Sequence, residues 1–286
     1  MQFLGTGAAA CIPCPFCDCP ICEEAREDPR QMRFRSMFLL DEKNLIDCGP
    51  DLAAATMRFG INLSRLENVY VTHSHQDHFL TGNSGLHQMS RTRKHIPVDV
   101  FLSEAAYEAV MRRYERIREE FNHLDAVSDY RTGRMRLHPV KIGVPFEQGG
   151  YRVMAVEGRH RVGEKENAIH YLFEKSDGTR LLYASDTGVY LPDSVELLRG
   201  KRIDILVLEC NGDLGAAEDA VQHMNLAGFA GMVELLLDAE AIRPDTRIYA
   251  THFGHGRTLT MAETQVWLDG NVKLPVTMAY DGLKID

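Results

Sequence analysis

Three histidines and an aspartate occur within the six residues His73–His78, which read HSHQDH. Imidazole nitrogens and carboxylate oxygens are ligands for divalent metal ions. Ligands at alternate and adjacent positions fan outward from a turn, because neither a helix nor a strand presents such spacing on one face. The segment therefore predicts a site for two metal ions, with His73, His75, Asp77 and His78 as candidate ligands.

Two metal ions need more ligands than this segment holds, and three further candidates follow strand-like runs downstream: His160, Asp186 and His252. His160 is expected after a strand and a turn at Gly158. A histidine at a strand end is commonly a capping or packing residue, and an aspartate before Thr-Gly is commonly a turn former. Each signal is weak alone, but together with His73–His78 they form a set.

The elements that must position these residues are short β-branched or aromatic runs bounded by turn formers. The predicted strands are 38–40, 44–47, 69–71, 98–102, 151–156, 169–174, 180–184, 205–208 and 247–250. The predicted helices are 52–59, 104–121, 194–198 and 226–238, and Ser103 is expected to cap the second of them. Strands in runs with helices interspersed predict two packed sheets with helices outside, an α/β (α+β) fold.

The composition is that of an ordinary globular protein. The 286 residues are 44% hydrophobic and include no linker-like tract, so one domain spanning 1–286 is expected. No apolar run approaches the roughly 20 residues of a membrane span, and the first residues lack a signal-peptide pattern, so a cytoplasmic protein is expected. The formal net charge of -9 disfavours a surface that coats nucleic acid but is compatible with a small anionic substrate held by metal.

Five of the seven cysteines crowd into the N-terminal segment: Cys11, Cys14, Cys17, Cys19 and Cys22. Cysteines as close as the third and fourth of these are poorly placed to form a disulfide, and a reducing compartment is expected without an export signal. The crowding favours metal binding, with a reduced, unliganded cluster as the alternative. The run CDCPIC supplies three thiolates, one short of the four ligands of a closed zinc site.

The order of the candidate ligands along the chain resembles that of the metallo-β-lactamase-fold hydrolases, and the similarity covers nearly the whole sequence. The resemblance implies an αββα sandwich of two mixed sheets flanked by helices. It implies two ligand groups joined by a bridging aspartate: His73, His75 and His160 for one metal, Asp77, His78 and His252 for the other, and Asp186 between them. An aspartate at the bridge, where the lactamases proper have a cysteine, is typical of the phosphoesterase and nuclease branch.

The chemistry expected of such a centre is hydrolysis. Two divalent ions would convert a bridging water to hydroxide near neutral pH and hold the anionic oxygens of a phosphoester. The leaving alkoxide then needs a proton. Glu209 and His223 resemble the glutamate and histidine pair of the ribonuclease Z family, which implies His223 as general acid and Glu209 as its partner, beside Asp77 in the catalytic set. A surface histidine at a helix N-terminus is the alternative for His223.

A narrower resemblance is to the phosphoribosyl cyclic phosphate phosphodiesterases of the carbon-phosphorus lyase pathway. The shared features are LGTG at Leu4–Gly7, the CxCxxC cluster, and a histidine three residues after the last active-site histidine. This resemblance implies a structural zinc bound by Cys17, Cys19, Cys22 and His255. Such a zinc would tie a cysteine-rich loop at about 11–23 to the loop that bears His252. Cys11 and Cys14 are additional, and whether either of them joins the site stays open.

The first functional hypothesis is a dinuclear metal phosphodiesterase acting on a small cyclic or nucleotide-like phosphodiester. An RNA-processing nuclease of ribonuclease Z type is the second, although the acidic balance counts against it. A carbonyl hydrolase of the same fold, such as a lactonase or thioesterase, or a non-catalytic metal-binding module is the third. Imidazole and carboxylate ligands suit both zinc and manganese, so the active-centre metal stays open. The resemblance also allows a homodimer.

Other polar residues carry weaker signals. Arg33, Arg35 and Ser36 are candidates for phosphate contact, with solvated surface as the alternative. Asp281 is expected on a final strand, either in a turn or bonded to a ligand histidine. The segment after His78, the helix from Glu104 to Phe121 and the loop after it are expected to shape the substrate pocket. Histidines without a spacing partner are expected on the surface or in the core: His87, His95, His123, His138 and His170.

Overall fold

The computed structural model of the chain describes residues 1–80, 87, 90–92, 96–120 and 135–286, without the side chains of 114 and 116–120. Its described strands form two sheets. Six strands make the first, in the order of the chain: β1 Gln2–Gly5, β2 Met37–Asp41, β3 Asn44–Ile46, β4 Asn68–Tyr70, β5 Val98–Ser103 and β6 Met135–Val140. The pairs β1–β2 and β2–β3 are antiparallel and the remaining pairs are parallel, so this sheet is mixed.

The second sheet is also mixed and again follows chain order: β7 Phe146–Gln148, β8 Tyr151–Val162, β9 Glu166–Lys175, β10 Arg180–Ala184, β11 Ile203–Glu209, β12 Ile242–Thr251 and β13 Val276–Met278. Strands β7 to β10 pair antiparallel. Strands β10 to β13 pair in parallel. Because the carboxyl ends of parallel strands meet at one edge of a sheet, the residues that follow β10, β11 and β12 lie close together.

Helices cover the outer face of each sheet: α1 Pro20–Glu27, α2 Leu52–Phe59, α3 Glu104–Glu120, α4 Pro192–Leu198, α5 Leu226–Asp238 and α6 Met261–Asn271. Apolar residues of α2 and α3 pack on the first sheet. Those of α1, α4, α5 and α6 pack on the second. The result is the predicted αββα sandwich of two mixed sheets flanked by helices. Ser103 accepts a hydrogen bond from the Ala106 N–H at 3.0 Å, which confirms the predicted cap of α3.

The core between the sheets is rich in buried aromatic side chains. Tyr70 of the first sheet packs edge-on against Phe173 of the second, with ring centroids 4.9 Å apart. Each such buried ring contributes roughly 1.5–3 kcal/mol of hydrophobic stabilisation. The Tyr171 hydroxyl lies 3.0 Å from the Val71 carbonyl oxygen, just before His73. This contact between the two sheets therefore fixes the position of the backbone just before the HSHQDH segment.

Most predicted elements are present with small changes of boundary. The strand 180–184 and the helices 52–59 and 226–238 have the predicted bounds. Strands β1, β6 and β7 and helices α1 and α6 were not predicted, and the predicted final strand, β13, ends before Asp281. Position 121, like His95 and His123, lies outside the described residues. No helix in the described part of the chain has the length and apolar character needed to cross a membrane.

Candidate metal centre

The seven predicted active-centre ligands come together at the edge of the two sheets, six of them in segments that follow strands and His160 within a strand. His73 follows β4 in the first sheet, whereas Asp186 and His252 follow the parallel strands β10 and β12 of the second. His160 differs from its prediction, because it lies inside the long strand β8 and not after a turn at Gly158. The pairing of β8 with β9 is irregular between Glu157 and Arg161, and this bulge takes the place of the expected turn.

The first group contains His73, His75 and His160, whose nearest donor atoms all lie within 4.8 Å of one another. His73 Nε2 is 2.9 Å from His75 Nδ1. His160 Nε2 is 3.4 Å from the same His75 Nδ1. Three imidazole nitrogens thus converge on one point. Catalytic zinc sites typically have three protein ligands of this kind and leave one coordination position open.

The second group contains Asp77, His78, Asp186 and His252, again within 4.8 Å of one another. His78 Nε2 is 2.6 Å from Asp186 Oδ2 and 3.3 Å from Asp77 Oδ2. His252 Nε2 is 3.1 Å from Asp186 Oδ1. This mixed set of two imidazoles and two carboxylates suits zinc or manganese.

Asp186 lies between the two groups. Its Oδ2 atom is also 3.5 Å from His73 Nε2, so this one carboxylate reaches a member of each group. Asp186 is buried and has a φ of 56°, a left-handed backbone conformation that is uncommon outside glycine. His252 and Asp47 share this feature, with φ values of 61° and 58°. Backbone strain of this kind often clusters at functional sites.

Four of the five candidate histidine ligands are held through their Nδ1 atoms. His78 Nδ1 donates to Asp47 Oδ2 at 2.7 Å, and His73 Nδ1 is 3.1 Å from the Thr72 hydroxyl. The His160 Nδ1 atom donates to a backbone carbonyl at 3.2 Å. His252 Nδ1 lies 3.2 Å from the Asn211 amide nitrogen. Such outer contacts turn each Nε2 atom toward the centre.

The electrostatics of the centre fit divalent cations. Within the described residues, His78 Nε2, His252 Nε2 and Asp186 Oδ1 are buried and form no hydrogen bond of acceptable geometry, although both imidazoles lie close to the Asp186 carboxylate. Burial opposes the charged form of His78, but Asp47 and Asp186 outweigh it and raise the pKa of His78 well above its usual value. Burial and the neighbouring charge of His78 lower the pKa of His73. Buried lone pairs beside anionic carboxylates are the surroundings that a bound metal ion would satisfy.

His223 and Glu209 lie at the rim of this centre. The His223 Nδ1 atom is 2.6 Å from Glu209 Oε1 and 3.2 Å from Asp186 Oδ1. Burial disfavours a charged imidazole, but these two carboxylates outweigh it and raise the pKa of His223 to about 10. The His223 side chain remains 38% exposed, so it is open to solvent and substrate, and it is not simply a surface residue. Glu209 is fully buried and also accepts a hydrogen bond from the Thr187 N–H.

The predicted structural-zinc ligands also converge. Cys17, Cys19, Cys22 and His255 place one donor atom each within 4.8 Å of one another. Burial opposes ionisation of the Cys19 thiol, but hydrogen bonds, chiefly with His255, outweigh it and lower the pKa of Cys19 to about 7. A thiol that ionises near neutral pH is a better metal ligand.

Cys14 is outside this four-residue group but contributes its N–H, which donates to Cys22 Sγ at 3.2 Å. The segment is not wholly a loop, because Cys22 lies in the first turn of α1 and Cys19 is the residue before that helix. The helix therefore sets the spacing of two of the three thiols.

Three other predictions were wrong in their details. Arg33 is buried and not solvated; it donates to the Thr6 hydroxyl at 2.9 Å and to the Ala279 carbonyl at 2.8 Å. Ser36 is likewise buried and donates to a backbone carbonyl. Asp281 follows β13 instead of lying on it, and it lies in a turn, which confirms one of its two predicted alternatives. It accepts hydrogen bonds from Thr6 and from the Phe34 N–H, not from a ligand histidine.

A cleft opens beside the first ligand group. It has a volume of about 540 Å³ and is lined by Ser74, His75, Ala105, Ala109, Arg112 and the β8–β9 hairpin residues 162–166. The small side chains of Ala105 and Ala109, at the start of α3, help to leave this space open. A cleft of this size accommodates a small-molecule ligand. The first turns of α3 thus line this cleft, and their predicted role in shaping a substrate pocket stays a prediction. Most of the segment after His78 and of the loop after α3 lies outside the described residues.

Sequence reasoning missed the residues that orient the ligands. Asp47 and Asn211 contact candidate ligand histidines but lie 31 and 41 positions away from them. The one available signal for Asp47 was its place at the end of β3, where it meets the start of the HSHQDH segment. Single aspartates at strand ends are too common for that signal to decide.

Comparisons with known proteins agree with this architecture. The sequence profile described as the Beta-lactamase superfamily domain matches residues 43–253. A search of curated proteins found no significant relative. Among solved structures, the fold is similar to a diphosphatase from the PhnP family, with 24% identity and a TM-score of 0.71 over 99% of this chain and 95% of that one.

Two further solved structures align over essentially the whole chain. Zinc-bound PqqB from Methylobacterium extorquens is 18% identical with a TM-score of 0.74, covering 100% of this chain and 99% of that one. The short form of human tRNase Z is 19% identical with a TM-score of 0.61, covering 100% of this chain and 98% of that one. At these identities the likeness is one of fold.

Proposed function

The chain belongs to the β-lactamase superfamily, and from that premise we propose that it is a metal-dependent phosphodiesterase acting on a small cyclic or nucleotide-like phosphodiester. The observation that carries the proposal is the position of His223, a partly exposed imidazole 3.2 Å from the carboxylate shared by both ligand groups. Hydrolysis of a phosphodiester releases an alkoxide that needs a proton at that place.

The side chains of the site would have two roles, to bind the metal ions and to orient the ligand imidazoles. The first group, His73, His75 and His160, and the second, Asp77, His78 and His252, would each hold one zinc or manganese ion, with Asp186 touching both. When bound, such a pair of ions supplies a nucleophilic water of lowered pKa and positive charge for the phosphate oxygens. Asp47, Thr72 and Asn211 keep the imidazoles oriented, so little reorganisation is needed when the substrate binds.

His223 would act as the proton donor to the leaving oxygen. Glu209 holds its Nδ1 atom, which leaves Nε2 as the atom free to face a substrate. The same carboxylate stabilises the protonated imidazole and so keeps a proton available.

The substrate would occupy the cleft between the start of α3 and the β8–β9 hairpin. His75, a member of the first ligand group, forms part of its wall. The volume of about 540 Å³ suits a substrate of nucleotide size, because ligand sites for small molecules range over roughly 300–1,000 Å³.

An RNA-processing nuclease is the second candidate. The similarity of fold to human tRNase Z over the full chain and the Glu209 and His223 pair support it. The net charge of -9 weighs against it, since proteins that bind RNA through its phosphates usually present a basic surface.

A substrate panel tests the proposal. Protein reconstituted with zinc or manganese is assayed with bis(p-nitrophenyl) phosphate, 2′,3′-cyclic nucleotides, phosphoribosyl cyclic phosphate, a lactone and a precursor tRNA. We expect turnover of one or more small phosphodiesters, its loss in Asp186→Ala, and no change in the surface control Asp238→Ala. Rapid lactone opening without phosphodiester turnover would overturn the proposal, and selective cleavage of the precursor tRNA would favour the nuclease.

A further inference from the structure

Glu166, the first residue of β9, is a buried carboxylate that belongs to neither ligand group. It is only 4% exposed. Its Oε1 atom accepts a hydrogen bond from the Ser74 N–H at 2.7 Å, and its Oε2 atom accepts one from the Ser74 hydroxyl at 2.6 Å. Ser74 is the residue between the two candidate ligands His73 and His75. Glu166 therefore holds the backbone and the side chain of Ser74, within the HSHQDH segment, through hydrogen bonds.

Ser74 makes a third hydrogen bond to a charged side chain. Arg113 of α3 donates from Nη2 to the Ser74 carbonyl oxygen at 3.1 Å. The N–H, the hydroxyl and the carbonyl of this one residue are thus all held by charged side chains from two different elements. Burying a carboxylate costs free energy that only good hydrogen bonds recover, so an apolar residue would serve better if the position merely filled space.

His75 is the ligand that most needs such support. The other four candidate histidines are oriented through their second ring nitrogen, whereas within the described part of the chain His75 Nε2 has no hydrogen-bond partner. His75 also presents Nδ1, the nitrogen bonded to the ring carbon that carries Cβ. Because this atom lies close to the main chain, its position follows the backbone more directly than an Nε2 atom would.

Glu166 also connects the two chain segments that form the first group. It pairs with Val162 across the β8–β9 hairpin, and Val162 lies two residues beyond His160. The hairpin that bears His160 is thereby joined to the segment that bears His73 and His75. Shortening or removing the Glu166 side chain would loosen that junction without touching any ligand.

We infer that Glu166, acting through Ser74, is a positioning residue that holds His75 in place to bind a metal ion in the first group. The inference rests on the metal centre of the proposed function. Outer contacts of this kind typically change metal affinity by about 10- to 100-fold. Loss of the Glu166 carboxylate should therefore weaken one of the two active-centre sites and leave the other nearly unchanged.

The test measures metal binding and not only activity. Zinc affinities of the wild type, Glu166→Ala and Glu166→Gln are determined by competition with a chromophoric chelator, and the cobalt-substituted proteins are compared by visible absorption. We expect Glu166→Ala to release one zinc about 10- to 100-fold more readily and to show an altered cobalt spectrum. Glu166→Gln keeps an oxygen for the Ser74 N–H and should stay near the wild type, as should Glu164→Ala, which removes an exposed carboxylate from the same hairpin.

Ser74→Ala is the second variant, because it deletes one of the two hydrogen bonds with a minimal change of volume. It should show a smaller loss of zinc affinity at the same site. Ser74→Ala also keeps the test available if Glu166→Ala fails to fold. The inference would be overturned if Glu166→Ala had the zinc affinity and cobalt spectrum of the wild type. If only Ser74→Ala folds, the same result in that variant would overturn it. Neither result would affect the proposed metal centre. A wild-type protein that binds no zinc beyond a structural one would instead overturn the proposed function and the inference with it.

Discussion

Glu209 Oε1 lies 2.6 Å from His223 Nδ1, and the same atom lies 3.4 Å from His252 Nδ1. One fully buried carboxylate thus contacts both the candidate proton donor and a candidate metal ligand. A change in the position of Glu209 would reach the metal centre and the acid together, so substitutions of His223 isolate the acid function better than substitutions of Glu209.

His223→Ala should lower kcat by about 10²–10⁴ on a phosphodiester with a poor alkoxide leaving group, because no protonated group then meets the departing oxygen. On bis(p-nitrophenyl) phosphate, whose leaving group is stable as an anion, the loss should be much smaller. The measurement is kcat for a series of diesters of increasing leaving-group pKa. An equal loss across the series would show that His223 does not act as an acid.

Asp47→Ala should weaken the metal site of the second group, because Asp47 accepts the Nδ1–H of His78 at 2.7 Å and fixes its ring. The expected decrease in affinity of the second group is about 10- to 100-fold. The first group should weaken less, because Asp47 reaches it only through Thr72, whose hydroxyl contacts both Asp47 and His73 Nδ1. Chelator competition with zinc measures both sites. Glu166→Ala should show the opposite order, with the first group weakened more than the second. Equal weakening of both sites by Asp47→Ala would contradict this expectation.

Cys22→Ser should remove one equivalent of zinc and lower the unfolding temperature. We expect a fall of at least about 5 °C, given roughly 2–4 °C per kcal/mol for a large domain. Cys14→Ser is the matched control, since Cys14 contributes its N–H but lies outside the four converging donors. Metal analysis and thermal unfolding of both variants are compared. Zinc loss in Cys14→Ser but not in Cys22→Ser would mean that a different set of thiols binds the metal.

Asp281 should make folding stability depend on pH between about 4 and 6. Burial raises the pKa of Asp281 to about 6, against hydrogen bonds from Phe34 and Thr6 that oppose the shift. The folded protein then binds this proton more tightly than the unfolded chain, whose aspartates titrate near 3.9, so this group stabilises the fold as the pH falls from 6 to 4.

Denaturant unfolding of the wild type and Asp281→Asn at pH 4, 5, 6 and 7 isolates this effect. Acid loss of metal affects both proteins alike and cancels in their difference. The free energy of unfolding of the wild type minus that of the variant should increase as the pH is lowered. A difference that stays constant or decreases would refute the raised pKa.

The predictable part of the centre was its ligand chemistry. The segment His73–His78 is recognisable as a metal site because donor residues at such spacing do not lie on one face of a helix or strand. The three later ligands follow apolar runs that are recognisable as strands. The helices at 52–59 and 226–238 and the strand at 180–184 were predicted at their observed bounds because local pattern and tertiary packing agree there.

What could not be predicted depends on contacts between distant parts of the chain. The bulge that allows His160 to stay within β8 is a property of its pairing with β9. Arg33 is buried because its guanidinium lies 4.9 Å from the Phe253 ring, a partner 220 residues away. Glu166 reaches Ser74 across 92 residues. Nothing in the local sequence distinguishes these residues from ordinary surface charges.

We propose that two metal ions hydrolyse a phosphodiester while held by His73, His75, Asp77, His78, His160, Asp186 and His252. The most direct test of this proposal is a titration of zinc or manganese into chelator-treated protein that retains its structural zinc, followed by turnover of bis(p-nitrophenyl) phosphate. We predict no turnover without added metal and a rate that reaches its plateau at two equivalents. A plateau at one equivalent, turnover that survives chelation, or no turnover at any metal content would contradict the account.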